Sequence, residues 1–84
     1  MHWVYILYSS RIDKYYIGST SNLQNRIEFH NSEQNKIWSK RGQPWEIVFS
    51  HQFETSTESI IAEKFIKRQK SRVYISKLIE EGWK

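Results

Sequence analysis

Residues 3–8 (Trp-Val-Tyr-Ile-Leu-Tyr) form the longest apolar run in the chain, and residues 15–19 share its β-branched and aromatic character. The turn-prone segment Ser9-Ser10-Arg11-Ile12-Asp13 lies between them, so the pair predicts a β-hairpin. Thr20-Ser21-Asn22 supplies N-cap chemistry for a helix from Leu23 to His30, with Leu23 and Ile27 as its buried stripe. Asn31 to Gln43 is polar, and Gly42 and Pro44 mark its end as a loop. From Trp45 to Phe53 apolar and polar positions alternate, which predicts a third strand with Trp45, Ile47, Phe49 and His51 on one side. Ser56 or Thr57 caps a helix to Gln69, with Ile61, Ala62, Phe65 and Ile66 facing inward. A last helix covers Val73 to Glu81. The order β-β-α-β-α-α, opening on a hairpin, implies an α+β fold: a three-stranded antiparallel sheet flanked by helices, in one domain spanning 1–84.

Composition narrows the class. With 84 residues, 38% of them hydrophobic, the chain makes one small domain that needs most of its apolar side chains for a core. An aromatic content of 15% and a single proline argue against disorder. No cysteine is present, which excludes a disulfide framework and a Cys-ligated zinc site. The apolar run 3–8 is far short of the roughly 20 residues a membrane span needs, and no basic segment precedes it as in a signal peptide. A cytoplasmic location without membrane attachment is the expectation.

The net charge of +4 is unevenly placed. Six cations and no acid fall between Lys64 and Lys77: Lys64, Lys67, Arg68, Lys70, Arg72 and Lys77. Lys36, Lys40 and Arg41 form a second cluster in the polar loop. Such stripes suit phosphate backbones, whose neutralisation releases counterions. On charge alone, a solvated helix face explains them equally well.

Candidate chemistry begins in the hairpin. A four-residue connection, Ser9 to Ile12, sets Tyr5 opposite Tyr16 and Trp3 opposite Gly18, whereas a three- or five-residue connection puts the two phenols on opposite faces. If they share a face, Gly18 leaves room beside them for the close approach of a ligand's backbone. Arg26 and His30, one helical turn apart at an edge of the apolar stripe, suit a phosphate clamp and a proton relay. Glu63 lies on the flank of its helix, where it either pairs with Lys67 or holds a hard cation.

Taken in order, Val4-Tyr5, ten intervening residues, the literal Tyr16-Ile17-Gly18, Arg26, His30 and a helical Glu63 within AEKFIKRQKSR resemble the GIY-YIG nuclease superfamily, most closely its small standalone bacterial members. Trp3 stands where the family name has glycine. Repair members carry a lysine directly after the second motif, where this chain has Ser19; Lys14 or another cation is the candidate replacement. The asparagine that some members carry has no counterpart near Tyr74 and Ile75. The resemblance implies an endonuclease that hydrolyses phosphodiester bonds with Mg²⁺ (or Mn²⁺), acting on nucleic acid, with DNA in repair or processing as the expected substrate. It implies Tyr5, Tyr16, Arg26, His30 and Glu63 as catalytic residues. Glu63 is then the metal ligand, and Tyr5 the base with Tyr16 as its hydrogen-bond partner, or the reverse. Gly18, Lys36, Lys40, Arg41, Lys67, Lys70 and Arg72 are the expected nucleic-acid contacts. The alternatives are a non-catalytic nucleic-acid-binding domain of the same fold, and a small interaction protein whose tyrosines are core.

Overall fold

The computed structural model describes residues 1–83, so Lys84, the last residue of the expected domain, lies outside the described residues. Strands β1 (His2–Ser9), β2 (Lys14–Thr20) and β3 (Glu46–Phe53) form one antiparallel sheet in the order β2-β1-β3. Helix α1 (Leu23–His30) follows the hairpin, while α2 (Ser56–Gln69) and α3 (Arg72–Glu81) end the chain. The expected order and α+β class hold. The polar loop is more structured than its composition suggests, because Trp38–Gly42 winds into a short 3₁₀ helix.

Central β1 is apolar on both faces because both are covered. Val4 and Ile6 point into the main core with Phe49, Ala62, Ile66, Ile75 and Leu78, beneath α2 and α3. Tyr5 and Leu7 point the other way and join Trp45, with Tyr16, Leu23 and Ile27 packed against them under α1. The candidate site is built over this smaller second cluster.

The hairpin register departs from the expected one. The connection runs from Ser10 to Asp13, one residue later, and Asp13 takes a left-handed conformation with φ 51°. Tyr5 therefore pairs with Gly18, Leu7 with Tyr16, and Trp3 with Thr20. The pairing slips by two positions, so parity is conserved and the two tyrosines still share a face. The space at Gly18 also has a different owner. A Cβ built there would lie 2.5 Å from the Tyr5 hydroxyl oxygen and 2.7 Å from its ring carbon Cζ. Gly18 is buried beneath the phenol, so its missing side chain makes room for Tyr5 rather than for a ligand's backbone.

Two packing expectations are corrected. Ile6 pairs with Phe49 but Leu7 with Ile47, so Val48 is an extra residue in β3. This bulge puts Trp45 in the second cluster and Phe49 in the main core, on opposite faces rather than one. On α2 the buried residues are Ser59, Ala62 and Ile66, while Ile61 and Phe65 are exposed at 63% and 44%. Small side chains at 59 and 62 let the helix lie close on the sheet, which turns Ile61 and Phe65 outward along a groove shared with α3. Helix α1 likewise buries His30, with Leu23 and Ile27 only half covered.

Capping explains the helix starts. Asn22 caps α1 by accepting from the Asn25 backbone N–H, and Ser71 caps α3 through that of Tyr74. Thr55, one residue before the expected cap, accepts from the Glu58 N–H and donates to the Glu58 carboxylate.

Gly18→Ala tests the central packing constraint. The added methyl overlaps a ring fixed from both sides, which costs about 1–3 kcal/mol. For a domain of this size, each kcal/mol corresponds to a fall of about 4–8 °C in melting midpoint. An unchanged midpoint would contradict this packing.

Candidate functional site

The Tyr5 side chain crosses Gly18 toward the edge strand β2, with its ring stacked against Tyr16 at 6.4 Å between centroids and 20° between planes. Its hydroxyl meets His30 Nε2 at 3.4 Å. The hydrogen-bond partner of Tyr5 is thus His30, and Tyr16 contributes a stacked ring instead of the expected hydrogen bond. Burial pushes the Tyr5 phenol up to about 12, and Arg26 on α1 pulls against that rise. The charges of Tyr16 and Glu63 raise it further.

His30 is fully buried and Tyr5 is only 1% exposed, so both lie just behind the surface. Burial first, and the neighbouring Arg26 charge second, lower its pKa to about 4, so it is neutral near pH 7. Its Nδ1 sits 3.0 Å from the Ser39 hydroxyl, which also accepts a 2.8 Å hydrogen bond from the Asn35 amide. Asn35 donates to the His30 carbonyl as well, and Gln43 donates to the carbonyls of His30 and Ser32. Asn31 closes the arrangement by bonding both the N–H and the C=O of Trp45. Both imidazole nitrogens are therefore engaged, which fixes the ring's orientation against Tyr5.

Glu63 reaches the same edge from α2. Its carboxylate accepts from the Ser19 hydroxyl at 2.7 Å and from Lys67 Nζ at 2.6 Å. The expected pair with Lys67 exists, and it does not exclude the second reading of Glu63. Its side chain is 19% exposed, open to one side and backed by Ser19. Among the described residues no group of three His, Cys, Asp or Glu gathers as a metal cluster. A lone carboxylate beside a hydroxyl still suits Mg²⁺, which takes one or two protein carboxylates and completes its shell with water and phosphate oxygens. The Lys67 ammonium marks the place as cation-accepting. Arg26 is exposed, with its guanidinium over the Phe29 ring at 5.3 Å.

Tyr5, Tyr16, Arg26 and His30 thus come from β1, β2 and α1 to the face of the sheet around Gly18. Glu63 reaches the next residue of the same edge strand, Ser19, from the α2 side, near enough to act on the Tyr5 phenol through space. The basic residues divide. Lys36, Lys40 and Arg41 are exposed on and before the 3₁₀ helix, and Lys67 stands in the site itself. The stretch 64–77 is not a continuous stripe, because Lys70 turns left-handed between α2 and α3. Arg72 is held by two hydrogen bonds to Asp13, at 2.8 and 3.2 Å, and lies over Tyr15. Lys14 is at the far end of β2, paired with Ser9. Lys67 is the cation near Ser19.

Sequence reasoning missed Ser39, Asn35 and Ser19. Ser39 and Asn35 sit in a polar stretch whose composition fits solvent as well as a buried network. The departure at Ser19 was visible, and its bond to Glu63 gives that departure a structural meaning.

Residues 1–77 match the GIY-YIG catalytic domain. The chain is also similar to UPF0213 proteins, which are small bacterial proteins. It is 30% identical to YazA of Bacillus subtilis over 77 residues, covering 88% of this chain and 77% of that one. It is 33% identical to a UPF0213 protein of Clostridium perfringens over 85 residues, covering 96% and 90%. A relative from Limosilactobacillus reuteri is 26% identical over 83 residues, covering 96% and 85%. No solved structure matches. With the whole of the Tyr5, Gly18, Arg26, His30 and Glu63 region inside the matched span, the chain belongs to the GIY-YIG family, a superfamily of nucleases.

Proposed function

We propose that this protein is a divalent-metal-dependent endonuclease that hydrolyses phosphodiester bonds in DNA by in-line attack of water. The observation that carries the reading is the grouping of Tyr5, Arg26 and His30 around Gly18 with Glu63 at the adjoining Ser19, along one edge strand but from three separate elements. Packing explains each one singly. It does not explain why a phenol, a guanidinium and a carboxylate share one partly open edge.

Tyr5, once ionised to the phenolate, accepts the proton of the attacking water as the water's oxygen bonds to phosphorus, and the leaving oxygen takes a proton from solvent as its bond breaks. Arg26 lies beside the same phenol, where it favours the phenolate and neutralises charge developing on the phosphate. His30 is neutral and clamped by Ser39, so it orients the phenol through Nε2. Glu63, with Ser19 beside it, would hold Mg²⁺ or Mn²⁺, which when bound would supply positive charge at the phosphate. Glu63 raises the Tyr5 pKa through space, and that opposition ends once its charge is neutralised. On this reading Lys36, Lys40, Arg41, Lys67, Lys70 and Arg72 follow flanking phosphates, the last after exchanging Asp13 for phosphate. No helix among the described residues is long and apolar enough to cross a membrane. A cytoplasmic role in DNA repair or processing is in keeping with this chemistry.

Two experiments test the reading. The first compares cleavage of labelled DNA structures in Mg²⁺ and in EDTA for the wild type, Glu63→Gln and Tyr5→Phe. Glu63→Gln should abolish the Mg²⁺ stimulation, while the melting midpoint changes little because the exposed Lys67 pair contributes under about 1 kcal/mol. Tyr5→Phe keeps the ring and should slow cleavage by about 10²–10⁴-fold. Variants that cut as fast as the wild type would refute the assignment. A wild type that binds DNA but cuts no structure would leave a binding module.

The second experiment follows His30 by NMR titration. With its folded pKa near 4 against 6.5 unfolded, the unfolded chain binds the proton first. The stability linked to His30 is present above about pH 6.5 and lost as pH falls toward 4. A ring that protonates near 6.5 in the folded protein would contradict its burial against Tyr5 and Ser39.

A further inference from the structure

Trp38 opens the 3₁₀ helix and is 51% exposed, and Ile37 before it is 44% exposed. The indole centroid lies 5.7 Å from Tyr16 and 5.9 Å from Trp45, so part of the ring leans on the aromatic cluster beneath the site while the rest meets solvent. With Tyr15, Tyr16, Ile17 and Lys67 it lines a notch of about 340 Å³ along the outer edge of β2. That edge carries no further strand among the described residues. Tyr16 is two residues from Gly18, over which the buried Tyr5 phenol lies, a distance of about 7 Å along an extended strand. Lys67 joins the two places, lining the notch while paired with Glu63. Exposed Lys36, Lys40 and Arg41 flank Trp38 in the chain.

We propose that Trp38 is a stacking platform for an unpaired nucleobase next to the scissile phosphate, so that the bound DNA is single-stranded at this point. The inference rests on the nuclease reading of the neighbouring site and adds its substrate class. Every base has a π face that an indole can cover, and base–aromatic stacking is tolerant of sequence. In a duplex those faces are already covered by neighbouring base pairs, and extruding a base costs a few kcal/mol. An exposed indole beside the candidate active site therefore favours a strand whose bases are free. The cations around it provide for the phosphates of the same strand, and they do so for duplex and single strand alike. The aromatic face distinguishes the two.

The test measures affinity for oligo-dT and for a blunt duplex of equal length, in EDTA so that no cleavage intervenes. Wild type should bind oligo-dT more tightly than duplex. Trp38→Ala should weaken oligo-dT binding by roughly 5- to 150-fold, the range for loss of one stacked base. Duplex affinity should change by less than about twofold, and the salt dependence should keep its slope because no cation has been removed. Trp38→Phe retains a ring, so it should hold most of the affinity while losing most of the quenching of indole emission by oligo-dT. Equal weakening of both nucleic acids by Trp38→Ala, or quenching that survives in Trp38→Phe, would overturn the platform and leave the nuclease reading intact. Failure of the wild type to bind either nucleic acid would overturn both.

Discussion

The geometry of the site depends on a side chain that is missing. β1 and β2 are paired so that Tyr5 stands across from Gly18, and the phenol occupies the volume that any other residue there would fill. Because of that gap a tyrosine from the central strand, though part of the second core cluster, reaches toward the sheet's edge with its hydroxyl against His30. The same close packing buries the phenol and raises its pKa to about 12, which opposes its use as a base at neutral pH. The neighbouring groups are arranged against that penalty. Arg26 favours the phenolate, and on the proposed reading a cation held at Glu63 would act the same way.

The polar loop between α1 and β3 is the second support. Its side chains turn inward to satisfy buried backbone and imidazole groups that water cannot reach. His30 thereby sits in a dry site with both ring nitrogens occupied, and its low pKa keeps it uncharged beside Arg26. Preorganisation of this kind lowers the cost of holding Tyr5 in one orientation. It also places the 3₁₀ helix, and with it Trp38, over Tyr16.

What the sequence made legible was periodic or local. Element order followed from apolar alternation and caps. The shared face of Tyr5 and Tyr16 hung on whether the connection was even or odd, which the sequence left open and the four-residue turn Ser10–Asp13 decides. The ordered set Tyr5, Tyr16-Ile17-Gly18, Arg26, His30 and Glu63 carried the family. Alternation could not reveal the bulge at Val48, because one inserted residue leaves the pattern readable on either side of it. A helical wheel placed Ile61 inward, but close contact goes to the smaller Ser59 and Ala62. The roles of Ser39 and Asn35 come from tertiary contacts with His30, and no local signal separates a buried serine from a solvated one.

The central claim is that one edge, around Gly18, gathers phenol, guanidinium and carboxylate for a single phosphate. A structure of the Tyr5→Phe variant with DNA and Mg²⁺ tests this most directly. The account predicts an ion about 2.0–2.1 Å from a Glu63 carboxylate oxygen, sharing a phosphate oxygen that Arg26 also contacts, with Lys67 released from Glu63. DNA bound elsewhere on the protein, with the Glu63–Lys67 pair intact and no ion at the carboxylate, would contradict it.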